Sequence, residues 1–499
     1  MIAVRLGLIV ALVGSAVGCG RLAFDPLTDA NNDSGFGGGG NTHVTVPSSD
    51  PGDELGFTVA VSGDGNTFAA TAIHESSAAT GIDGNEADNS AADAGAVFVF
   101  ARQAGAWTKQ AYIKASNTDA GDLFGQMIAL SADGNTLAVG AYLEDSSATG
   151  IDGNQADNTA MDAGAVYIFT RTGQTWTQQA YLKASNTDAG DYFGVKLALS
   201  ADGNTLLVGA VYEGSGATGV GGNQTDDSVT MAGAAYVFVR NGTTWSQEAY
   251  IKATNTGASD DFGDSLCISP DGTTIAVASY AEDSSATGVG GNMADNLSID
   301  SGAVYVYTRV GATWSAQAYL KASNTGAGDH FGNRICSLSS DGNTLSIGAS
   351  EENSSGTGVN SNSQGDDSSG DAGAVYIFTR AGTTWTQQAY IKAINTDAGD
   401  LFGFQNALSA NGDVLFVDSP LEAGGNATDP ADNSAPSAGA AYVYSRAAGV
   451  WTYRKYVKSI SNEANNEFGF SLATSASGQL LVAGVPGQQG SRGAIDVFE

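Results

Sequence analysis

An all-β fold closed into a ring is what this sequence predicts: a seven-bladed β-propeller with four antiparallel strands per blade. Three observations predict it: a sevenfold repeat, a strand in each unit that is apolar on both faces, and a last unit one strand short. The repeat is marked by Leu55-Gly56, Phe124-Gly125, Phe193-Gly194, Phe262-Gly263, Phe331-Gly332, Phe402-Gly403 and Phe468-Gly469, spaced close to 69 residues apart. That period is too long for one solenoid coil and short for a sandwich domain. Each unit must therefore bury its apolar faces against its neighbours.

The elements can be taken in order from the unit that begins at Asp122. Phe124 to Ser131 is a short apolar segment, and Ala132-Asp133-Gly134-Asn135 is a hairpin turn signal. Thr136 to Ala141 is the second strand. A loop of about twenty residues leads to the third, Gly164 to Arg171. There Val166 and Ile168 point one way and Tyr167 and Phe169 the other, so both faces need cover, as in a propeller blade. A turn at Thr172-Gly173-Gln174 returns the chain into the fourth strand, Trp176 to Lys183.

The seventh unit ends in Gly493 to Glu499, the register of a third strand, so its fourth strand is missing. Counting back from Leu55 as Tyr112 precedes Phe124 places His43-Val44-Thr45-Val46 in the register of Tyr112-Ile113-Lys114-Ala115. The N-terminal strand is expected to complete the last blade and remove two open edges. The propeller is expected to span residues 43–499.

Residues 1–18 carry one positive charge (Arg5), an apolar run from Leu6 to Val13, and small residues up to Cys19. This is the pattern of an export signal, too short for a membrane span. Ala16-Val17-Gly18-Cys19 resembles a bacterial lipobox, which implies acylation of Cys19 and a membrane anchor. Gly20 after it favours sorting to the outer membrane or cell surface; ordinary cleavage to a secreted or periplasmic protein is the alternative. Residues 19–42 then form the anchor cysteine and a flexible tether.

Lys and Arg total 20 against 53 Asp and Glu, a net charge of -33. Twelve of the twenty cations fall at two fixed repeat positions: Arg102, Arg171, Arg240, Arg309, Arg380 and Arg446, then Lys114, Lys183, Lys252, Lys321, Lys392 and Lys458. No basic groove remains for nucleic acid, and the field favours divalent cations or basic partners. Cys267 and Cys336 stand where other units carry Ala60, Ala129, Ala198, Ala407 and Ala473. They read as small buried residues in a packed strand, with a disulfide between adjacent blades as the open alternative. The tryptophans at 107, 176, 245, 314, 385 and 451 hold one place at the start of strand four, which predicts inter-blade packing over a ligand-stacking ring.

Phe-Gly followed by a strand ending Val139-Gly140-Ala141 or Val208-Gly209-Ala210 resembles the FG-GAP repeat of integrin α-subunit propellers. The bacterial, integrin-like FG-GAP proteins are more similar still. The resemblance covers residues 43–499 and implies extracellular binding or adhesion. Integrin propellers bind calcium in the hairpin between strands one and two. Here Ala129, Ser131, Asp133, Gly134 and Leu137 keep only the Asp-Gly pair, so Asp133, Asp202, Asp271 and Asp341 read as turn residues.

Strand direction places the loops between strands two and three, and between strand four and the next blade, on one face. That face is the expected interaction surface. Asp83, Asn85 and Asp88, and in the next copy Asp152, Asn154 and Asp157, offer hard oxygens around a glycine and are candidate Ca2+ ligands. Asparagine-glycine loop geometry is the competing reading, because the third and fourth copies begin Gly221-Gly222 and Gly290-Gly291. No catalytic residues and no organic cofactor are assigned: His43, His74 and His330 sit at unrelated positions, and no metalloprotease or nucleophile-elbow motif occurs. The sequence points to a non-enzymatic, monomeric surface module that binds an extracellular protein or glycan. A structural surface protein with ion-binding loops and a carbohydrate-active enzyme are the alternatives.

Overall fold

Each unit forms one blade. In the computed structural model, which describes residues 40–499, the strands make seven four-stranded antiparallel sheets. Cys19 and the export signal lie outside the described residues. Blade 2 shows the pattern: Ile128–Leu130, Thr136–Ala141, Ala165–Thr172 and Thr175–Leu182 pair in chain order. Strands two to four fall within a residue of their expected bounds. Strand one is shorter here than the sequence suggests, three residues against the seven of Leu55–Val61 and Phe193–Leu199 in blades 1 and 3, although the Phe-Gly or Leu-Gly glycine is left-handed in all three blades.

The N-terminal strand closes the ring. Thr42–Val44 pairs with Ile495–Phe498 in the register Thr42↔Val497, His43↔Asp496 and Val44↔Ile495. The last sheet thus contains both ends of the described chain, and neither leaves an open edge at the junction.

Burial follows from the doubly apolar third strand. Tyr167 and Phe169 pack in the cluster shared with blade 1, whereas Val166 and Ile168 pack in the cluster shared with blade 3. The tryptophans occupy the interfaces as expected: Trp176 is buried, its Nε1 donates to Gln110 Oε1 of the preceding blade at 3.0 Å, and Arg171 lies over its ring.

The recurring lysines are buried too, which the sequence reading did not anticipate. Lys183 Nζ meets Glu144 Oε2 at 2.9 Å, Tyr181 Oη donates to Glu144 Oε1 at 2.7 Å, and Asn117 of the preceding loop donates to the same oxygen at 3.0 Å. Equivalent ion pairs join Lys114 to Glu75, Lys252 to Glu213, Lys321 to Glu282, Lys392 to Glu352 and Lys458 to Glu422. A buried pair is tolerated only when its remaining polar atoms are satisfied, and the tyrosine and asparagine help supply those bonds.

Opposite the long loops, the tight Asp-Gly turns are linked by a belt of backbone hydrogen bonds. Gly63 donates to Ala132, Ala132 to Ala201, Ala201 to Pro270, Ser340 to Ala410, Ala410 to Ala476, and Ala476 back to Gly63. The belt breaks between blades 4 and 5, because Pro270 has no N–H to give. A disulfide joins Cys267 to Cys336 across that same junction, with Cα atoms 5.5 Å apart. The alanine-like reading of these cysteines is corrected accordingly. One repeat apart on adjacent first strands, they face each other at bonding distance.

Candidate functional site

The first strands of neighbouring blades touch one another around the ring and so form the wall of the central channel. Each enters that wall from the long-loop face through the residue before its Phe-Gly or Leu-Gly pair. All seven of these residues are left-handed: Glu54 (φ 58°), Leu123 (52°), Tyr192 (60°), Asp261 (53°), His330 (52°), Leu401 (58°) and Glu467 (53°). None is glycine or asparagine; Asp261 and His330 are of types enriched in this conformation, whereas Glu54, Leu123, Tyr192, Leu401 and Glu467 take it at a cost. This is also a position of the repeat that does not repeat. Its chemistry changes from blade to blade while the flanking residues stay constant.

Residues at the ends of the second strands back this rim. The Tyr192 ring lies 5.2 Å from Tyr142 and 4.7 Å from Tyr212, centroid to centroid. Tyr280 Oη donates to Asp261 Oδ2 at 2.9 Å, and the Tyr280 ring packs edge-on against His330 at 5.3 Å. His330 Nδ1 lies 2.7 Å from Glu351 Oε2, and His74 Nε2 lies 3.8 Å from Glu54 Oε2. The rim is thus aromatic and polar over blades 2 to 5 and acidic where Glu467 meets Glu54.

Its titration is perturbed accordingly. Burial pushes the Asp261 carboxyl up to about 7, with the Tyr280 hydrogen bond opposing and Asp264 and Asp260 adding to the shift. Burial also raises Glu467, reinforced by the charge of Glu54. For His330, burial lowers the pKa, but Glu351, Asp300 and Asp329 outweigh it and favour the imidazolium. Asp261 can therefore change charge near neutrality and exchange its hydrogen bond with a ligand.

Below the rim lies a second variable tier, made by the residues one and two places after the glycine. Phe57, Phe470 and Phe404 form an arc over blades 1, 7 and 6, with successive ring centroids 5.1 and 5.2 Å apart. The Arg334 guanidinium of blade 5 caps it, 4.3 Å from the Phe404 ring. Lys196 of blade 3 and Asp264 of blade 4 continue the tier, close enough for each charge to act on the other.

The six loop residues proposed from sequence lie elsewhere, and their oxygens serve the loops. Asp83 Oδ1 accepts from Tyr112 N and Asp152 Oδ1 from Tyr181 N, both at 3.0 Å. Asn85 and Asn154 accept from Ala87 N and Ala156 N. Asp88 accepts from Ala78 N and Asp157 from Ser147 N. Asp83 (φ 54°) and Asp152 (φ 53°) are left-handed, as are Gly221, Gly290 and Asn360 in the later copies. The sequence Asp, Asp, Gly, Gly, Asn at that point is therefore a backbone requirement met by residues that tolerate it. Asp133 Oδ1 likewise accepts from Ser131 Oγ and Asn135 N within its turn, so the hairpin does not offer the integrin type of calcium shell. Among the described residues, no group of three or more His, Cys, Asp or Glu side chains is placed to hold a metal ion.

Two segments, residues 107–169 and 176–238, match the FG-GAP repeat family model. The match shows FG-GAP repeats in those two segments, which lie within the seven-blade ring. Each matched segment begins on the fourth strand of one blade and ends on the third strand of the next, so the sequence repeat straddles two sheets. No curated protein matches the chain. Among solved structures, a chain of the mitotic checkpoint complex is 11% identical with a TM-score of 0.47, covering 96% of this chain and 98% of that one. A protein from Lactobacillus plantarum is 13% identical with a TM-score of 0.45, covering 79% of this chain and 85% of that one. A provisionally assigned 6-phosphogluconolactonase from Bacteroides uniformis is 11% identical with a TM-score of 0.45, covering 84% and 89%. Likeness at this level bears on neither activity nor partners.

Proposed function

We propose that the protein is an exported, non-enzymatic binding module that takes its extracellular protein or glycan ligand at the channel mouth on the long-loop face. One observation carries the reading. Seven left-handed positions are filled by Glu, Leu, Tyr, Asp, His, Leu and Glu, where glycine would remove the strain. Each such residue costs on the order of 1 kcal/mol, and that cost is retained at a position that varies from blade to blade. At the Asp83 position of the long loop the left-handed requirement is met by Asp, Gly or Asn, and at the Asp93 position by Asp, Met231 or Ser437, so the repeat does not by itself demand the Glu, Leu and Tyr found at the rim. A rim selected for its side chains is a recognition surface held by a rigid scaffold. Calcium at Asp83, Asn85, Asp88, Asp152, Asn154 and Asp157 forms no part of this reading.

The test is capture of glycans and extracellular proteins on arrays by the full propeller. Tyr192→Ala and His330→Ala should each weaken capture at least about tenfold, as hot-spot truncations do. Gln174→Ala, in an exposed turn of the opposite face, should leave it unchanged. Equal loss with Gln174→Ala, or no loss with either rim variant, would place recognition elsewhere.

A further inference from the structure

We propose that the tier below the rim is a binding site for a small organic anion, a carboxylate or phosphate group carried on an aromatic or planar apolar body. The inference rests on the reading of the channel mouth as the binding face and names the ligand chemistry beneath it.

The cations come first. Lys196 is 7% exposed, yet it forms no hydrogen bond or ion pair among the described residues. It departs from the repeat, since its equivalents are Thr58, Met127, Ser265, Arg334, Gln405 and Ser471. Arg334 stands at the same register in blade 5 with a left-handed backbone (φ 75°), and it too lacks an ion pair. Burial lowers the Lys196 pKa, Asp264 partly restores it, and the charge of Arg334 lowers it further. In a chain with 53 acidic residues and a net charge of -33, two cations are thus held near each other without a carboxylate in contact. Lys196 is largely buried and Arg334 half-buried, and two cations on one wall that meet no carboxylate can be matched by an anion.

Donors and an apolar wall complete it. Ser265 Oγ is buried without a hydrogen-bond partner, at the same register in blade 4, between the two cations. Asp418 replaces the glycine found at 140, 209 and 348 in other second strands, and its Oδ2 is also buried and unpartnered. Burial raises the Asp418 carboxyl well above the usual range, with the Gln405 N–H and Arg334 opposing. Its Oδ1 accepts from Gln405 N at 2.6 Å, which leaves Oδ2 as the unpartnered atom beside the Arg334 charge. The wall opposite is the Phe404, Phe470 and Phe57 arc, to which Arg334 is already stacked. A guanidinium that stacks on one ring and pairs with an anion favours ligands carrying both a flat face and a charge.

Calorimetric titration of the full propeller with phenylacetate, phenyl phosphate, inorganic phosphate and benzyl alcohol tests the site. Saturable binding of phenylacetate or phenyl phosphate is expected, and the one that binds more tightly identifies the anion type. Benzyl alcohol and inorganic phosphate should each bind at least about tenfold more weakly, having lost one half of the recognition. Lys196→Met and Arg334→Gln should each weaken the anion about tenfold. The proposal fails if neither aromatic anion binds, if benzyl alcohol binds equally well, or if both variants bind like the parent. Tyr192→Ala serves to separate the two readings. Lost macromolecular capture with intact anion binding refutes neither, whereas intact capture with lost aromatic anion binding in the parent overturns this one alone.

Discussion

At the scale of single residues, one geometric demand is answered in two ways. Where the chain turns left-handed in the long loops, the residues are mostly Asp, Gly or Asn, with Met231 and Ser437 as exceptions, and Asp83, Asp152 and Asn360 accept from the local backbone. Where it must do so at the rim, they are tyrosine, histidine, leucine and acids that reach one another across blades. A second residue-scale feature concerns Asp122, Asp191, Asp260, Asp329 and Asp400, each pushed by burial up to about 7. A raised carboxyl binds its proton more tightly in the folded state than in the unfolded chain. Its contribution is therefore full below the unfolded pKa near 4 and is lost as pH rises through about 7. At about 1.4 kcal/mol per pKa unit, each group could contribute at most on the order of 4 kcal/mol. The melting temperature should accordingly fall between pH 5 and pH 8. Reduced self-repulsion of the acidic chain acts in the same direction, so the assignment needs variants. Asp191→Asn should flatten the profile by its share, and an unaltered slope in Asp191→Asn and Asp260→Asn would remove these carboxyls from the account.

At the scale of elements, strands two to four were legible because hairpin turns, alternation and the doubly apolar third strand are local signals. Strand one was less so, since its left-handed entry is fitted against the neighbouring blade: a Cβ on Gly164 would lie 2.1 Å from Phe193 O. The buried Lys–Glu pairs were hidden for the same reason. Their members lie 36 to 40 residues apart and meet only after the sheet forms. The rim left one trace in the sequence, the irregular residue before each Phe-Gly, and only the ring geometry gives that irregularity meaning. The junction of blades 4 and 5 shows one element compensating another, because the missing Pro270 bond and the Cys267–Cys336 disulfide fall at the same interface. Cys336→Ala should therefore lower the melting temperature, with a cost of about 2–4 kcal/mol. Pro270→Ala in that background should recover part of it by restoring an N–H to the belt. The same Pro270→Ala change in the disulfide-bonded parent should have a smaller effect; equal gains in both backgrounds would show that the two features are independent.

At the scale of the whole molecule, the ring is held by interfaces of one kind repeated around the circle and by one closure of a different kind. At six blades the fourth strand follows its own third in sequence. At the seventh it comes from the other end, and Thr42–Val44 carries Val44 into the core shared with blade 1. His43 replaces the tyrosine of the repeat and its Nδ1 meets the buried Asp496 at 2.6 Å, while Ser459 Oγ donates to the other Asp496 oxygen at 2.7 Å. The rim and the inner tier both span this seam, since Glu54 and Phe57 lie on one side and Glu467 and Phe470 on the other. Binding at the mouth thus depends on closure, although none of the closing residues touches it. Deletion of residues 41–47 should lower stability by several kcal/mol, from lost burial of Val44 and Val46 and an uncompensated Asp496. It should also open the channel wall to proteolysis near the blade 1 and blade 7 first strands and abolish capture at the rim. An unchanged melting temperature with intact capture would show that six continuous blades hold the ring without their seam.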